Sequence, residues 1–255
     1  MVALSVIILA KNEAEDIGRC LKSVLWAEER IVVDSGSTDQ TKVIAGEFAT
    51  KVVDRAFTNF ADQRNWALEQ ARFDWVLMVD ADEVVSEELR KEVEQAVAMP
   101  GVNGFFIPRI DYTFGKWLKY GETGKKSFSL LRLARKGKGK WVYPIHEVWE
   151  VEGRVGKLSH PILHYSHPDL EEFLEKLNRY TTADAEAMFR EGKRTAGWTI
   201  FVYPFAKFFV NYIWKLGFMD GVHGLVFAFL MAFYSFAKRA KLWVLWWEAE
   251  RKGRG

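Results

Sequence analysis

One cysteine, Cys20, is all the thiol chemistry that this 255-residue chain contains. A single thiol excludes an intramolecular disulfide and any paired-cysteine zinc or redox motif, and it accords with a reducing compartment. Two glycine signatures are also missing. No GxGxxG follows the first apolar run and no GxxxxGK[ST] occurs anywhere, which sets aside dinucleotide-dependent dehydrogenases and P-loop nucleotidases. Internal repeats and low-complexity runs are absent. So is an uncharged apolar span of about 20 residues. Lys207 and Lys215 interrupt residues 198–218, while Lys238, Arg239 and Lys241 interrupt 224–247. The longest uncharged stretch there, 221–237, contains His223. The apolar start, residues 1–10, lacks a basic leader and a small-residue cleavage site, and it reads as a first strand.

What is present is unevenly distributed. The net charge of +2 conceals 11 Lys or Arg against 4 Asp or Glu in residues 190–255, and 25 against 30 in the remainder. The same tail holds 17 of the 38 aromatic residues between Trp198 and Trp247. Basic residues interleaved with large aromatics suit an interface with an anionic bilayer. Helices lying in that interface are expected over 198–218 and 224–247; a helical subdomain or dimer face is one alternative reading and a true membrane span the other.

The first hundred residues alternate strand-like and helix-like runs with short breaks, the pattern of a parallel sheet with crossover helices. Residues 6–9, 31–33, 51–53 and 75–79 are short apolar strands of the kind buried on both faces. Between them Ile17, Leu21, Val24 and Leu25 fall at helical spacing. Ser37-Thr38-Asp39-Gln40 fits a capping box leading into a helix from Thr41, Asn59 caps the next helix, and Ser86 with Glu87 and Glu88 opens another. From 101 to 165 the pattern turns to short strands, with 104–108, 128–133 and 148–151 the best candidates. Pro168 then starts a helix to about residue 189.

Asp80-Ala81-Asp82 closes the fourth strand, so two carboxylates reach the C-terminal edge of a sheet, where open α/β sheets bind ligands. Carboxylates are hard ligands suited to Mg²⁺ or Mn²⁺, ions usually held by one or two protein carboxylates and substrate phosphates. Asp pairs after strands also turn chains and cap helices. The pair is not alone, however. Ala10-Lys11-Asn12-Glu13 follows the first strand, Asp34-Ser35-Gly36-Ser37 follows the second, and Arg64-Asn65 lies on the intervening helix.

This order and spacing resembles the inverting family 2 glycosyltransferases of the GT-A fold. Tyr143-Pro144-Ile145-His146-Glu147, with Gly217-Phe218-Met219-Asp220-Gly221 before an aromatic basic tail, resembles the bacterial subgroup containing lipopolysaccharide core β-1,4-glucosyltransferases. The resemblance implies a UDP-sugar donor surrounded by Ala10, Asn12, Glu13, Asp34, Ser35, Gly36, Ser37, Arg64, Asn65, Asp80 and Ala81. Many members carry two successive acids where this chain has Asp34 and Ser35. Arg64 is the expected diphosphate partner, since a guanidinium suits bidentate phosphate contact. Asp82 is the expected metal ligand, with Asp80 nearer the ribose or the metal's water shell. Glu147 is the expected general base, with Asp111 and Glu122 as rivals. His146 orients Glu147, approaches the metal or packs in its loop. A zinc site from His160, His164 and His167 is disfavoured, because Pro161 and Pro168 prevent one continuous helix.

The expected division is a nucleotide-sugar half over 1–100, an acceptor-side half over 101–190 and a membrane-interface tail over 191–255. The implied enzyme passes a hexose, glucose by the subgroup resemblance, to a lipid-linked glycan such as the lipopolysaccharide inner core. It would act on the cytoplasmic face of the inner membrane, contacting it through residues 198–247, with no nucleic-acid partner. Transfer to a polyprenyl phosphate or another envelope glycan is the alternative, and a non-catalytic membrane-docking module is the alternative of another class.

Overall fold

The computed structural model describes residues 2–122, 129–143, 147–167 and 169–252. Two compact units divide the chain, one from residues 1–110 and 128–165, the other from 111–127 and 166–255. The boundaries expected at 100/101 and 190/191 therefore fall inside units.

The first unit opens with the alternation read from the sequence: β1 (Val2–Ala10), α1 (Ile17–Ser23), β2 (Ala27–Asp34), α2 (Thr41–Phe48), β3 (Lys51–Asp54), α3 (Phe60–Gln70) and β4 (Trp75–Asp80). The strands lie β3-β2-β1-β4, all parallel, with Leu9 opposite Asp80, Ala10 opposite Asp34, and Asp34 opposite Asp54. One C-terminal edge thus carries every polar cluster that follows a strand.

The central runs of β1, β2 and β4 are apolar because both faces are covered. Val6 and Ile8 enter a core with Ile17, Leu21, Ala45 and Leu89, whereas Ile7 enters a second core with Ala67 and Leu68 of α3. That alternation is the period of two that a strand imposes.

Beyond β4 come β5 (Glu83–Val85), α4 (Glu87–Val97), β6 (Gly104–Thr113), β7 (Lys116–Leu118), β8 (Ser129–Arg135), β9 (Gly139–Val142), β10 (Val148–Val151), β11 (Val155–Lys157) and β12 (Ile162–His167). Here pairing is mainly antiparallel: β8 lies between β4 and β6, β12 pairs with β5, and β9 with β10. Asn59 and Ser86 cap α3 and α4 as expected, through hydrogen bonds of 2.9 and 3.2 Å. The capping box at Ser37–Gln40 does not form. Gln40 is the cap residue without a side-chain bond, and Asp39 Oδ1 accepts from Thr41 N instead.

In the second unit, α5 (Leu170–Arg190) begins at an Asp169 cap. It is followed by α6 (Thr199–Phe209), a π-helical turn (Val210–Trp214), a 3₁₀ turn (Gly217–Asp220) and α7 (Val222–Lys252). The expected start at Pro168 lies outside the described residues. No described helix is long and apolar enough to cross a membrane.

Phe173 and Leu177 of α5, Phe227 of α7 and Leu118 of β7 form this unit's core. The three cations that interrupt the apolar run of α7 act inside the unit. Lys238 Nζ lies 3.2 Å from Asp184, Lys241 Nζ donates to Asn178, Thr181 and Thr182, and Arg239 stacks 4.1 Å over Tyr203.

Candidate active site

At the edge of the parallel sheet, the turn after β2 is built by its own side chains. Asp34 is fully buried. Its Oδ1 accepts from Gly36 N at 2.9 Å and Ser37 N at 2.8 Å, while its Oδ2 takes the Ser37 hydroxyl. Gly36 has φ +88°, a conformation that side chains beyond Cα disfavour. Asp34 therefore shapes the turn through both carboxylate oxygens.

Asn12, itself at φ 56°, ties this turn to the end of β1, accepting from Thr38 N at 2.8 Å and donating its own N–H to Ser37 Oγ at 2.9 Å. Ala10 O accepts from Ser35 N at 2.9 Å, Glu13 N donates to Thr41 Oγ1 at 2.7 Å, and Ser35 Oγ accepts from Gln63 at 3.1 Å. Ala10, Asn12, Glu13 and residues 34–37 are thus one hydrogen-bonded wall.

Beside it lies a cluster of buried charge. Asp80 Oδ1 accepts from Arg64 Nη2 at 2.8 Å, and Asp80 Oδ2 accepts from Arg132 Nη2 at 2.5 Å. Arg64 Nε also donates to Glu147 Oε1 at 3.1 Å, and the guanidinium stacks 4.8 Å from the Trp141 ring. Glu83, fully buried, accepts the Asp80 N–H at 2.8 Å and faces Arg132 at 3.6 Å and Arg109 at 3.9 Å.

Burial alone would raise the Asp80 carboxyl, but Arg132 and Arg64 outweigh it and hold it well below the usual carboxylate range. For Glu83 burial wins. Its carboxyl is raised, offset in part by Arg132 and raised further by Asp80. Three guanidinium groups thus face three carboxylates, the balance that buried ions require.

Asp80 has both oxygens on guanidinium groups. The Asn65 amide spans the Trp141 backbone, accepting from N and donating to O at 2.8 Å each, and so pins β9 to α3.

Asp82 differs from Asp80 in its partner rather than in its exposure, 32% against 29%. Its Oδ2 lies 3.0 Å from His164 Nε2 on β12, while its carbonyl accepts from Tyr165 N at 2.9 Å. A carboxylate and an imidazole at one spot suit a divalent ion better than either suits the core. Among the described residues no group of three or more such ligands occurs, so remaining ligands would come from substrate oxygens or water.

Ala81 is buried between the two acids. Of the rival bases, Glu122 is held in the second unit by Lys207 at 2.7 Å and Asn211 at 3.2 Å, and Asp111 is buried there. His146 and Pro144 lie outside the described residues.

Arg132, Glu83 and His164 are the site residues that sequence reading missed. Arg132 had a signal, a lone cation inside the strand Leu130-Leu131-Arg132-Leu133.

The model of glycosyl transferase family 2 matches residues 5–147, which include the β1, β2 and β4 edge and end at Glu147. The chain belongs to glycosyl transferase family 2, and it is a glycosyltransferase.

Its particular relatives include the lipopolysaccharide core biosynthesis glycosyltransferase LpsC of Rhizobium meliloti, 29% identical over 93% of each chain. An uncharacterized glycosyltransferase of Rickettsia felis is 28% identical over 95% of this chain and 90% of its own length. Among solved structures, S. aureus TarS 1-349 in complex with UDP-GlcNAc superposes with a TM-score of 0.51 at 18% identity, covering 98% of this chain and 92% of that one. That likeness shows the fold, GT-A.

Proposed function

We propose that the enzyme transfers a hexosyl group, glucose by the subgroup resemblance, from a UDP-sugar to a hydroxyl of a lipid-linked glycan, with inversion at the anomeric carbon. The observation that carries this reading is the pairing of Arg64 with both Asp80 and Glu147, beside the half-buried Asp82–His164 pair. One sheet edge thereby holds cationic donors for a diphosphate, two groups for a divalent ion and a carboxylate for a proton.

Asp82 and His164 would hold Mg²⁺ or Mn²⁺, whose chemistry is to neutralise charge gathering on the leaving diphosphate. The wall formed by Ala10, Asn12, Glu13 and Ser35–Ser37 would seat the nucleoside. Asp80 acts at one remove, fixing Arg64 and Arg132.

In the transfer, Glu147 takes the proton of the acceptor hydroxyl as its oxygen bonds to the anomeric carbon. The bond from that carbon to the phosphate oxygen breaks, and its electron pair leaves with UDP. Arg64 Nε orients Glu147 for this role.

The Rhizobium meliloti relative, whose name places it in lipopolysaccharide core biosynthesis, supports this choice of acceptor. With a lipid-linked acceptor, the enzyme would work at the cytoplasmic face of the inner membrane.

The test is Glu147→Gln. Turnover falls about 10²–10⁴-fold while UDP-sugar affinity survives. Near-normal turnover would move the base elsewhere. Competition between lipopolysaccharide core and polyprenyl phosphate acceptors separates the two lipid-linked alternatives.

A further inference from the structure

The second unit leaves an apolar surface that its own packing does not use. On α6, Ile200, Pro204, Lys207 and Phe208 lie on the covered side, with Phe208 packed 4.7 Å from Phe229. Phe201, Val202, Tyr203, Phe205, Ala206 and Phe209 are exposed. At 3.6 residues per turn these exposed positions sweep an arc of about 200°.

The arc continues through the turns that follow, where Ile213, Trp214, Leu216, Phe218, Met219 and Val222 are all exposed, Trp214 by 85%. That tip is held rigidly. Asp220, buried, accepts from Lys119 N and Tyr120 N at 3.0 and 2.9 Å, and Gly224 passes so close to Gly217 that an added Cβ would lie 1.9 Å from its carbonyl oxygen.

The width of the arc identifies the occupant. A packed helix or flat protein face covers a stripe of roughly 100° on a helix, whereas a lipid layer closes around whatever enters it. The exposed residues are mostly aromatic, and Trp and Tyr are enriched where bilayer meets water. Charge agrees at the tip, where Lys215, next to Trp214, has no ion pair among the described residues.

We infer that residues 198–222 form a preformed wedge, Phe205 and Trp214 foremost, that inserts into one leaflet of an anionic bilayer. The helix α7 serves as its internal support. This deepens the proposed function, resting on the lipid-linked acceptor for its purpose, but its test is separate.

The full chain and the double variant Phe205→Ser/Trp214→Ser are floated with vesicles of phosphatidylethanolamine and phosphatidylglycerol. Both are sedimented without lipid, and UDP-sugar binding is titrated. The wild type floats, and the variant loses about a hundredfold in partitioning with unchanged donor affinity and helix content. Trp214→Ser alone, at the most exposed position, gives an intermediate loss and covers the case in which the double variant misfolds.

Equal flotation of wild type and variants would overturn the wedge. So would a wild type that stays off vesicles but sediments as a dimer that the variant dissolves, since the face would then belong to a second copy. Failure of donor binding in the wild type would overturn the proposed function and leave the wedge standing.

Discussion

Arg132 touches no solvent to speak of, yet two carboxylates depend on it. Asp80 and Glu83 lie 2.5 and 3.6 Å from its Nη2, Glu83 fully buried and Asp80 partly so. Removing one member of a buried ionic set leaves the others uncompensated, at about 3–5 kcal/mol. Arg132→Met is expected to lower the unfolding free energy by that amount in urea titrations; a loss under 1 kcal/mol would show the network to be slack. Asn65→Leu separates structure from ligand binding. It removes two hydrogen bonds to Trp141 and destabilises the fold by about 1–3 kcal/mol, while UDP-sugar affinity, measured below the melting range, is unchanged. At this scale the sequence was legible where a residue follows a strand, because the strand end itself dictates position: Ala10, Asp34 and Asp82 all stand at the site. It was opaque where the partner is distant in the chain. Nothing local pairs Arg132 with Asp80 across 52 residues, or His164 with Asp82 across 82.

The elements were legible in proportion to how local their causes are. Short runs of Val and Ile bounded by polar turns define β1, β2 and β4, and side-chain caps define the starts of α3 and α4. The failed capping box is instructive, because Ser37 has the right chemistry and spacing but a nearer carboxylate, Asp34, takes its hydroxyl. Similarly, the cations of α7 interrupt its hydrophobicity in sequence, yet in the fold Lys238 and Lys241 bind α5, Arg239 stacks on Tyr203 of α6, and α7 stays continuous over Val222–Lys252. Helix α4 carries a pH-dependent clamp. Glu92 accepts from Ser159 N at 2.7 Å and His160 N at 2.8 Å, and although burial works to raise its carboxyl, these bonds hold it below the ordinary value. A depressed carboxyl stabilises the fold above its unfolded value and ceases to do so as pH falls through its folded one. Wild type is therefore expected to exceed Glu92→Gln by about 1–2 kcal/mol near neutrality, the two converging in acid. A constant difference across that range would contradict the clamp. At the start of α7, Gly224→Ala forces Cβ onto the Gly217 carbonyl, and a loss of about 1–3 kcal/mol in the unfolding free energy is expected.

For the whole molecule, family membership and the GT-A fold leave open what the site takes, and the two units divide the question. The first gathers Arg64, Arg132, Asp80, Asp82, Glu147 and His164 at one sheet edge, a set suited to a metal-bridged diphosphate and a proton acceptor. The second carries an aromatic face with few charges to solvate it. The central claim concerns the first, and calorimetric titration of a panel of UDP-sugars onto the full chain tests it most directly. The titration is run with Mn²⁺ and then with EDTA, on wild type, Asp82→Ala and His164→Ala. One uridine sugar is expected to bind with metal, to weaken at least about tenfold with EDTA, and to weaken comparably in both variants. Metal-independent binding, with both variants indistinguishable from wild type, would contradict the assignment of Asp82 and His164.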